Sequence, residues 1–389
     1  MIGYEIEIDL PVVDGKGAKI KGDTKLAASR TRTDGKPVFK VVADSRSLPD
    51  GRKYSNLEFV TRPWSVVGDG HTRGPAALLD TLTRIRTVRD AFYRNTTALL
   101  SAPADLLDVL PAGTGARLAG GNGYRESAGT EGKGDGLFVH YSVGVPVSGM
   151  ATFFDRLRRA APLRDGVYLP DARHRLQQAN AFAERAVQEF LPRNRPSDAG
   201  RNAPALSARA RRDREVLGYL QLVFMQITAF ADHADTVARG GPDSGIKNRT
   251  VVLSRSPLAD VHAHLDPEVR TALRTHHDAL VTLLADDYQE EGRVRKDMGF
   301  YETAVREIDG GPVVLLDYAT AAFRGDAAVP QQSVFGGMRQ IAPHVEEEAV
   351  MVPFEIRTLG SSLKSWTQVE ADLRDLCDWV QSSHELGMA

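Results

Sequence analysis

The chain has 389 residues and a mass of 42.4 kDa, and its 49 basic and 51 acidic side chains leave a formal net charge of −2. With 42% hydrophobic and 26% charged residues, the composition excludes a wholly disordered or collagen-like chain. The nearly balanced charge disfavours a dedicated nucleic-acid binder. The single cysteine, Cys377, excludes an internal disulfide and a zinc site built from several thiolates.

Neither the first residues nor the longest apolar stretch of the sequence indicates a membrane segment. Residues 1–5 (MIGYE) lack the basic and apolar regions of a signal peptide. The longest apolar stretch, residues 216–231, is interrupted by Gln221 and Gln226 and is too short to cross a bilayer, so it predicts a buried helix. We therefore expect a cytoplasmic protein without a membrane partner.

The first third of the chain predicts three strands. In residues 4–10 (YEIEIDL), apolar side chains alternate with carboxylates, which is typical of a strand with one buried face. Residues 38–43 and 56–61 predict the second and third strands, and residues 14–36 a hairpin or loop.

The remaining elements are mixed along the chain. Helices are predicted at about 76–99, 150–160, 171–191, 213–239, 266–290 and 298–307, and strands at about 137–145, 250–254, 313–318 and 350–357. Thr367 and Glu370 have the spacing of a capping box that opens a last helix. Because the best strands lie at both ends of the chain, we expect one α+β domain over residues 1–389.

Two segments interrupt this pattern. Residues 112–136 are rich in glycine, and residues 192–212 are rich in arginine and proline, so both are predicted to be flexible insertions. The arginines of the second segment are open to two interpretations, an exposed insertion or a basic tether for an anionic partner.

Several carboxylates are predicted to lie on sheet faces. Glu5 and Glu7 point to the same side of one strand, Glu58 lies on another, and Glu355 shares a face of a late strand with Arg357. Like charges at such spacing repel, so a shared face requires a counter-charge, and hard cations such as Mg²⁺ take oxygen ligands. The alternative is an ordinary polar face exposed to solvent.

Other polar side chains are weaker candidates. His140 alternates with Phe138 on its strand, where a lone histidine is usually structural. Lys247 and Arg255 flank a predicted strand, and a cation there would suit a polyphosphate or a substrate carboxylate, with simple solvent exposure as the alternative. His262, in a stretch predicted to be helix or turn, is assigned no metal.

Four motifs, the second of which has two parts, resemble those of one enzyme family and occur in the family's order. Residues 3–7 (GYEIE) resemble the Gly-x-Glu-x-Glu opening strand of carboxylate–amine ligases with a glutamine-synthetase-like catalytic fold, which include glutamate–cysteine ligases and bacterial amidoligases. Residues 44–48 (DSRSL) and 57–63 (LEFVTRP) resemble the family's Asp-x-Ser-Leu segment and the strand that follows it. Residues 139–142 (VHYS) fall where the family carries a histidine-containing strand, and residues 354–357 (FEIR) resemble its late Glu-x-Arg strand.

The resemblance implies a mostly antiparallel sheet, packed against helices, whose concave carboxylate-lined face holds Mg²⁺ and ATP. Such an enzyme, a carbon–nitrogen ligase, activates a small-molecule or peptide carboxylate as an acyl phosphate, which an amine then attacks. By this resemblance the metal ligands would be Glu5, Glu7, Glu58 and Glu355, with His140 at the metal or nucleotide and Arg357 on the transferring phosphate. We add Lys247 to the nucleotide-binding candidates, and Glu58 and Arg255 to Arg357 as catalytic candidates.

Phe138 departs from the family, whose members often carry a second histidine there. This departure keeps two alternatives open, an effector or transferase that modifies a peptide on the same scaffold, and an inactive member that binds a peptide or protein partner. If the carboxylates repel one another, Glu5→Gln and Glu355→Gln should stabilise the metal-free protein.

Overall fold

The structure, a computed structural model, describes residues 1–47, 53–94, 100, 105–118, 136–160, 172–190, 203–238, 250–289, 304–308, 311–326, 340–357 and 364–388. The chain divides into two compact units. Unit 1 is Met1–Ser142 with Gly360–Asp378, and unit 2 is Val143–Leu359 with Trp379–Ala389. The single domain expected over residues 1–389 stays a prediction, because this division does not measure independent folding.

The described part of the chain forms both strands and helices. The strands are β1 (Ile2–Val13), β2 (Thr24–Ser29), β3 (Arg32–Thr33), β4 (Lys36–Pro37), β5 (Phe39–Ser47), β6 (Lys53–Thr61), β7 (Leu107–Val109), β8 (Arg117–Leu118), β9 (Phe138–Pro146), β10 (Val252–Ser254), β11 (Ala304–Ile308), β12 (Gly311–Val314), β13 (His344–Glu346) and β14 (Ala349–Ile356). The helices are α1 (Gly74–Arg94), α2 (Met150–Arg159), α3 (Ala172–Phe190), α4 (Ala203–Ala238), α5 (Leu258–Ala263), α6 (Pro267–Thr275), α7 (His277–Gln289), α8 (Leu315–Arg324) and α9 (Trp366–Met388). The expected mixed α+β architecture with a mostly antiparallel sheet is confirmed.

Unit 1 is built on a sheet with the strand order β9–β1–β6–β5–β2–β7, and β8 pairs with β1. In the antiparallel β1–β6 pair, Ile6 lies opposite Phe59 and Ile8 opposite Leu57, and all four side chains are buried. Helix α1 contributes a buried apolar stripe to the same unit, and the Tyr4 hydroxyl of β1 donates to a carbonyl of this helix. One face of the β1–β6 pair therefore belongs to the core, as alternation predicts.

A buried charge network joins β9 to the start of α9 in unit 1. The Asp372 carboxylate accepts a hydrogen bond of 2.6 Å from the Tyr141 hydroxyl and pairs with the Lys364 ammonium. Tyr141 and Lys364 are both buried, and the backbones of Lys364 and Leu137 bond to each other in both directions. Burial, followed by the charge of Asp372, raises the pKa of Tyr141 well above its usual value, so this phenol stays a donor.

Unit 2 contains the long helix α4, which packs against α3 through the Phe182 and Phe224 rings. Its buried Gln226 donates to the Tyr318 hydroxyl of α8 at 2.7 Å. Strand β14 pairs antiparallel with β10 and with β13. Within the described ranges, no helix combines the length and apolarity that spanning a bilayer requires.

Several sequence-based boundaries were wrong. Residues 315–318 begin helix α8, although 313–318 was predicted to be a strand, because a short apolar run fits either structure. Residues 304–307 form β11, although they were predicted to be helical. The helix expected at 266–290 is divided at His276, whose backbone has left the helical conformation.

Two helix starts also differ from the prediction. The capping box of α9 uses Ser365 and Gln368, whose side chains each accept from the other's backbone N–H, two positions before the predicted pair. Helix α4 begins at Ala203, ten residues early, so residues 203–212 are helical. Residues 192–202 and 119–135 lie outside the described part.

Charged residues at positions 211–215 of α4 make contacts within unit 2. Arg212 pairs with Glu268, the Arg214 guanidinium donates to the Leu386 carbonyl, and Arg211 lies 3.7 Å from Glu215. These contacts fasten α4 to α6 and to the end of α9. They give these arginines a structural role and do not require an anionic partner.

The buried network of unit 1 leads to the first prediction. Asp372→Asn should lower the free energy of unfolding by about 3–5 kcal/mol, because it removes the carboxylate that pairs with the buried Lys364 ammonium. Urea unfolding measures this change. The matched control is Glu370→Gln on the same helix, whose partner Arg374 is exposed, and its effect should stay below about 1 kcal/mol. Equal losses in the two variants would contradict the role assigned to Asp372.

Candidate functional site

The carboxylates of unit 1 share the face of the sheet opposite the core. Glu7 of β1 lies directly opposite Glu58 of β6, and Glu5 lies opposite Val60. Directly opposed residues of an antiparallel pair point to the same side, with Cβ atoms about 4.5–5.5 Å apart. The structure therefore brings Glu5, Glu7 and Glu58 onto one face, Glu58 buried and the other two half-buried.

The next strand continues the row of side chains on this face. On β5, Val42 lies opposite Glu58, Lys40 opposite Val60 and Asp44 opposite Asn56. Lys40 is exposed, whereas Asp44 is half-buried. The face thus combines acidic side chains at its centre with a lysine at its margin.

His140 lies on the same face, on strand β9 next to β1. Its side chain is 4% exposed, and Nδ1 lies 4.0 Å from Glu5 Oε2. The Phe138 ring stands nearly perpendicular to the imidazole, with 4.7 Å between ring centroids. An imidazole beside a carboxylate can exchange a proton or orient a polar ligand, and here an aromatic ring packs against it.

The donor set matches the chemistry of Mg²⁺ only in part. Glu5, Glu7 and Glu58 supply hard oxygen donors, the ligand type that this ion takes. Within the described residues, however, no three His, Cys, Asp or Glu side chains are grouped closely enough to hold a metal ion. The residues therefore provide suitable donors without forming a finished ligand set.

Glu355 of unit 2 lies in a different electrostatic setting. Its Oε2 accepts from Arg255 Nη1 at 2.9 Å, and its Oε1 accepts from Arg357 Nε. The Glu355 side chain is 2% exposed, and the two guanidinium groups are largely buried. Strand pairing explains the contact, because Leu253 lies opposite Glu355 and the Arg255 N–H continues the ladder to the Pro353 carbonyl.

Each oxygen of Glu355 is thus neutralised by its own arginine. The carboxylate pairs with two largely buried cations, so its removal would break both ion pairs at once. We therefore expect Glu355→Gln to destabilise the protein, the opposite of the gain in stability expected from the sequence. The metal-ligand role of Glu355 stays a prediction, as does the assignment of Lys247, which lies outside the described residues.

Thr61 is a site-positioning residue that sequence reasoning did not single out. Its hydroxyl accepts from the Tyr4 N–H at 2.8 Å and donates to the Tyr4 carbonyl at 3.0 Å. This buried bridge fixes the register of β1 against β6 one residue before Glu5. The threonine of the LEFVTRP segment could have indicated it, because a strand-end hydroxyl can replace a ladder contact.

Glutamate-to-glutamine substitutions at Glu7 and at Glu355 should have opposite effects on stability. In metal-free, low-salt buffer, Glu7→Gln should raise the free energy of unfolding by up to about 1 kcal/mol, because it removes the repulsion from Glu58. Glu355→Gln should lower it by about 3 kcal/mol or more, because it breaks the ion pairs of this buried carboxylate with Arg255 and Arg357. Guanidinium or urea titrations compare the two variants directly, and changes of the same sign would contradict this interpretation.

Comparisons with known proteins do not assign a family to the chain. The chain matches no protein-family model, and no curated protein or solved structure matches it either. The resemblance to the carboxylate–amine ligases therefore rests on the four sequence motifs alone.

Proposed function

We propose that the protein is an ATP- and Mg²⁺-dependent carbon–nitrogen ligase that joins a carboxylate to an amine through an acyl phosphate. The observation that carries the proposal is the acidic face of β1 and β6, on which Glu7 opposes Glu58 and buried His140 lies beside Glu5. A glutamine-synthetase-like catalytic fold is part of the same proposal, and the mostly antiparallel sheet supports it.

The chemistry requires two displacements. A carboxylate oxygen of the first substrate attacks the γ-phosphorus of ATP, the bond to the bridging oxygen breaks, and ADP leaves. The amine nitrogen then attacks the carbonyl carbon, phosphate leaves with the electron pair of the C–O bond, and the nitrogen loses a proton. Holding the amine beside the acyl phosphate and away from water favours amide formation over hydrolysis.

The chain's own residues would act mainly through charge. Glu5, Glu7 and Glu58 are the residues proposed to hold Mg²⁺, which when bound would neutralise charge on the phosphates. Arg255 and Arg357 are proposed to contact the transferring phosphoryl group. Because Glu355 holds both guanidinium groups, they would be oriented before an anion arrives, which is the electrostatic preorganisation that catalysis uses.

One observation favours a second candidate function. The Phe138 ring packs edge-on against the His140 imidazole, at a position where the family often carries another histidine. An apolar ring there suits a scaffold that modifies a peptide by another transfer, or one that binds a peptide or protein partner without turnover. Both alternatives differ from the ligase in their use of ATP.

Hydroxylamine trapping tests the proposal without knowledge of the amine. Hydroxylamine attacks any acyl phosphate, so incubation with ATP, Mg²⁺ and a panel of carboxylates should release ADP and an equal amount of hydroxamate. Calorimetry with a non-hydrolysable ATP analogue, with and without Mg²⁺, should show metal-dependent binding. Binding of the analogue with neither ADP nor hydroxamate would favour the transferase, whereas no binding at all would favour the inactive partner-binding member.

Variants of the acidic face and of Arg357 make this test more specific. Glu58→Gln should reduce hydroxamate formation by about 10² or more, because it removes preorganised charge. Arg357→Lys should also reduce turnover, since lysine cannot reproduce a bidentate fork on phosphate. The control is Asp80→Asn on α1, whose exposed carboxylate pairs with Arg84 and should leave turnover unchanged. Unchanged turnover and metal dependence in Glu58→Gln would refute the ligase site.

A further inference from the structure

A buried histidine in unit 2 takes no part in the proposed chemistry. His262 lies in the last turn of α5 and is 1% exposed. One ring nitrogen, Nε2, is buried and has no hydrogen-bond partner in the described part of the chain. The Phe323 backbone, near the end of α8, lies close enough to the ring to favour its protonated form.

The surroundings of His262 oppose a positive charge. Burial lowers its pKa from 6.5 to about 4, with Arg274 and then Arg270 of α6 acting in the same direction. Asp326, just after α8, acts in the opposite direction. From α4, the Tyr219 ring contacts the imidazole, and burial raises the pKa of Tyr219 well above its usual value, so this phenol is neutral.

The groups on the histidine's own helix do not change this balance. Asp260 lies in the first turn of α5, and His264 follows the last turn and is exposed. The Arg274 Nε donates to the Arg324 carbonyl at 2.8 Å, so this cation is fixed at the end of α8. The buried imidazole is therefore held neutral between α6 and α8.

Tyr219 of α4 also bridges helices α5 and α8. The Tyr219 hydroxyl lies 2.6 Å from the Ala322 carbonyl and 3.3 Å from the Leu258 carbonyl, at the N-terminal end of α5. At the other end of α5, the His262 ring packs edge-on against the Tyr219 ring, with 5.8 Å between the ring centroids, and lies beside Gly325. Fastened at both ends, this short helix depends on contacts with α4 and α8, since a helix of six residues is not stable alone.

Gly325 shows how tightly the ring is held. Its φ of +75° belongs to the left-handed region, which glycine adopts without strain. A Cβ at this position would lie 2.3 Å from His262 Nδ1, closer than atoms can approach. The imidazole therefore fills the space beside Gly325 and has no room for a second position there.

We propose that the α5–α8 contact is acid-sensitive. Protonation of His262 releases α5 from the end of α8, while α3 and α4 stay folded. In the open form the imidazole reaches water, away from the field of Arg270 and Arg274. The inference stands on the packing around His262 and is independent of the proposed ligase function.

The direction of the effect follows from proton linkage. The open form takes up a proton below about its normal pKa of 6.5, whereas the closed form resists protonation until about 4. As the pH falls between these values, the opening equilibrium gains at most a factor of about ten per unit. The full response is therefore about 10² in the opening constant.

Hydrogen exchange of the whole chain, corrected for intrinsic rates, measures this opening. Between about pH 7 and about pH 4.5, the opening constant for amides in 258–265 and 322–326 should rise by about 10², whereas α3 should keep its protection. A parallel NMR titration of the His262 ring in the unaltered protein should give a midpoint well below 6.5. A uniform loss of protection that includes α3, or a His262 midpoint near 6.5, would overturn the proposal.

Two variants and a control complete the test. His262→Gln should abolish the pH response of α5 and α8, and His264→Gln should leave it unchanged. If His262→Gln does not fold, Gly325→Ala decides, because its Cβ displaces the ring and should move the opening to a higher pH. An unaltered pH response in His262→Gln or in Gly325→Ala would show that another group controls the opening.

Discussion

The register of β1 against β6 is the constraint on which the acidic face depends. It places Ile6 opposite Phe59 in the core and, one position along, Glu7 opposite Glu58 outside it. A slip of one residue would exchange the two faces, burying the carboxylates and exposing the apolar side chains. The cost of such a slip, several buried apolar side chains at about 1.5–3 kcal/mol each, far exceeds the repulsion between two opposed carboxylates. Burial on one side therefore forces the acidic residues together on the other, and the Thr61 hydroxyl secures the same register from the end of the strand.

Each unit also contains a buried ionic group whose charge is balanced locally. In unit 2 the Glu355 carboxylate has a guanidinium on each oxygen, and in unit 1 the Lys364 ammonium has Asp372. Such networks add little net stability over apolar residues, but they are costly to break from one side. They are thus better at fixing the position of a side chain than at holding a fold together. For Arg357 this fixed position is what a role at a phosphate requires, because an arginine already oriented loses less entropy when the anion binds.

The sequence predicted elements that a single periodicity decides. Strands β1, β6 and β14 follow from period-two alternation, and the common face of Glu5 and Glu7 follows from the same period. Helix α8 was missed because its apolar run is too short to separate a strand from a helix by pattern. The contact between Glu355 and Arg255 could not be derived, because it depends on how β10 pairs with β14, residues about 100 positions apart. Periodicity therefore gives the face of a side chain, whereas its partner depends on strand register.

His262 shows the same limit from the opposite direction. On its own helix it is an ordinary histidine two positions from His264, and nothing in that spacing distinguishes the buried ring from the exposed one. The difference arises from α6, which brings Arg270 and Arg274 near the buried ring, and from Gly325 directly after α8, which leaves space for the ring. Lys364 is paired in the core with the Asp372 carboxylate, whereas His262 is buried in its neutral form. Burial thus depends on a partner at the first site and on the absence of a proton at the second. Acid therefore acts on His262 through opening, because below about pH 6.5 the ring takes up a proton once it reaches water.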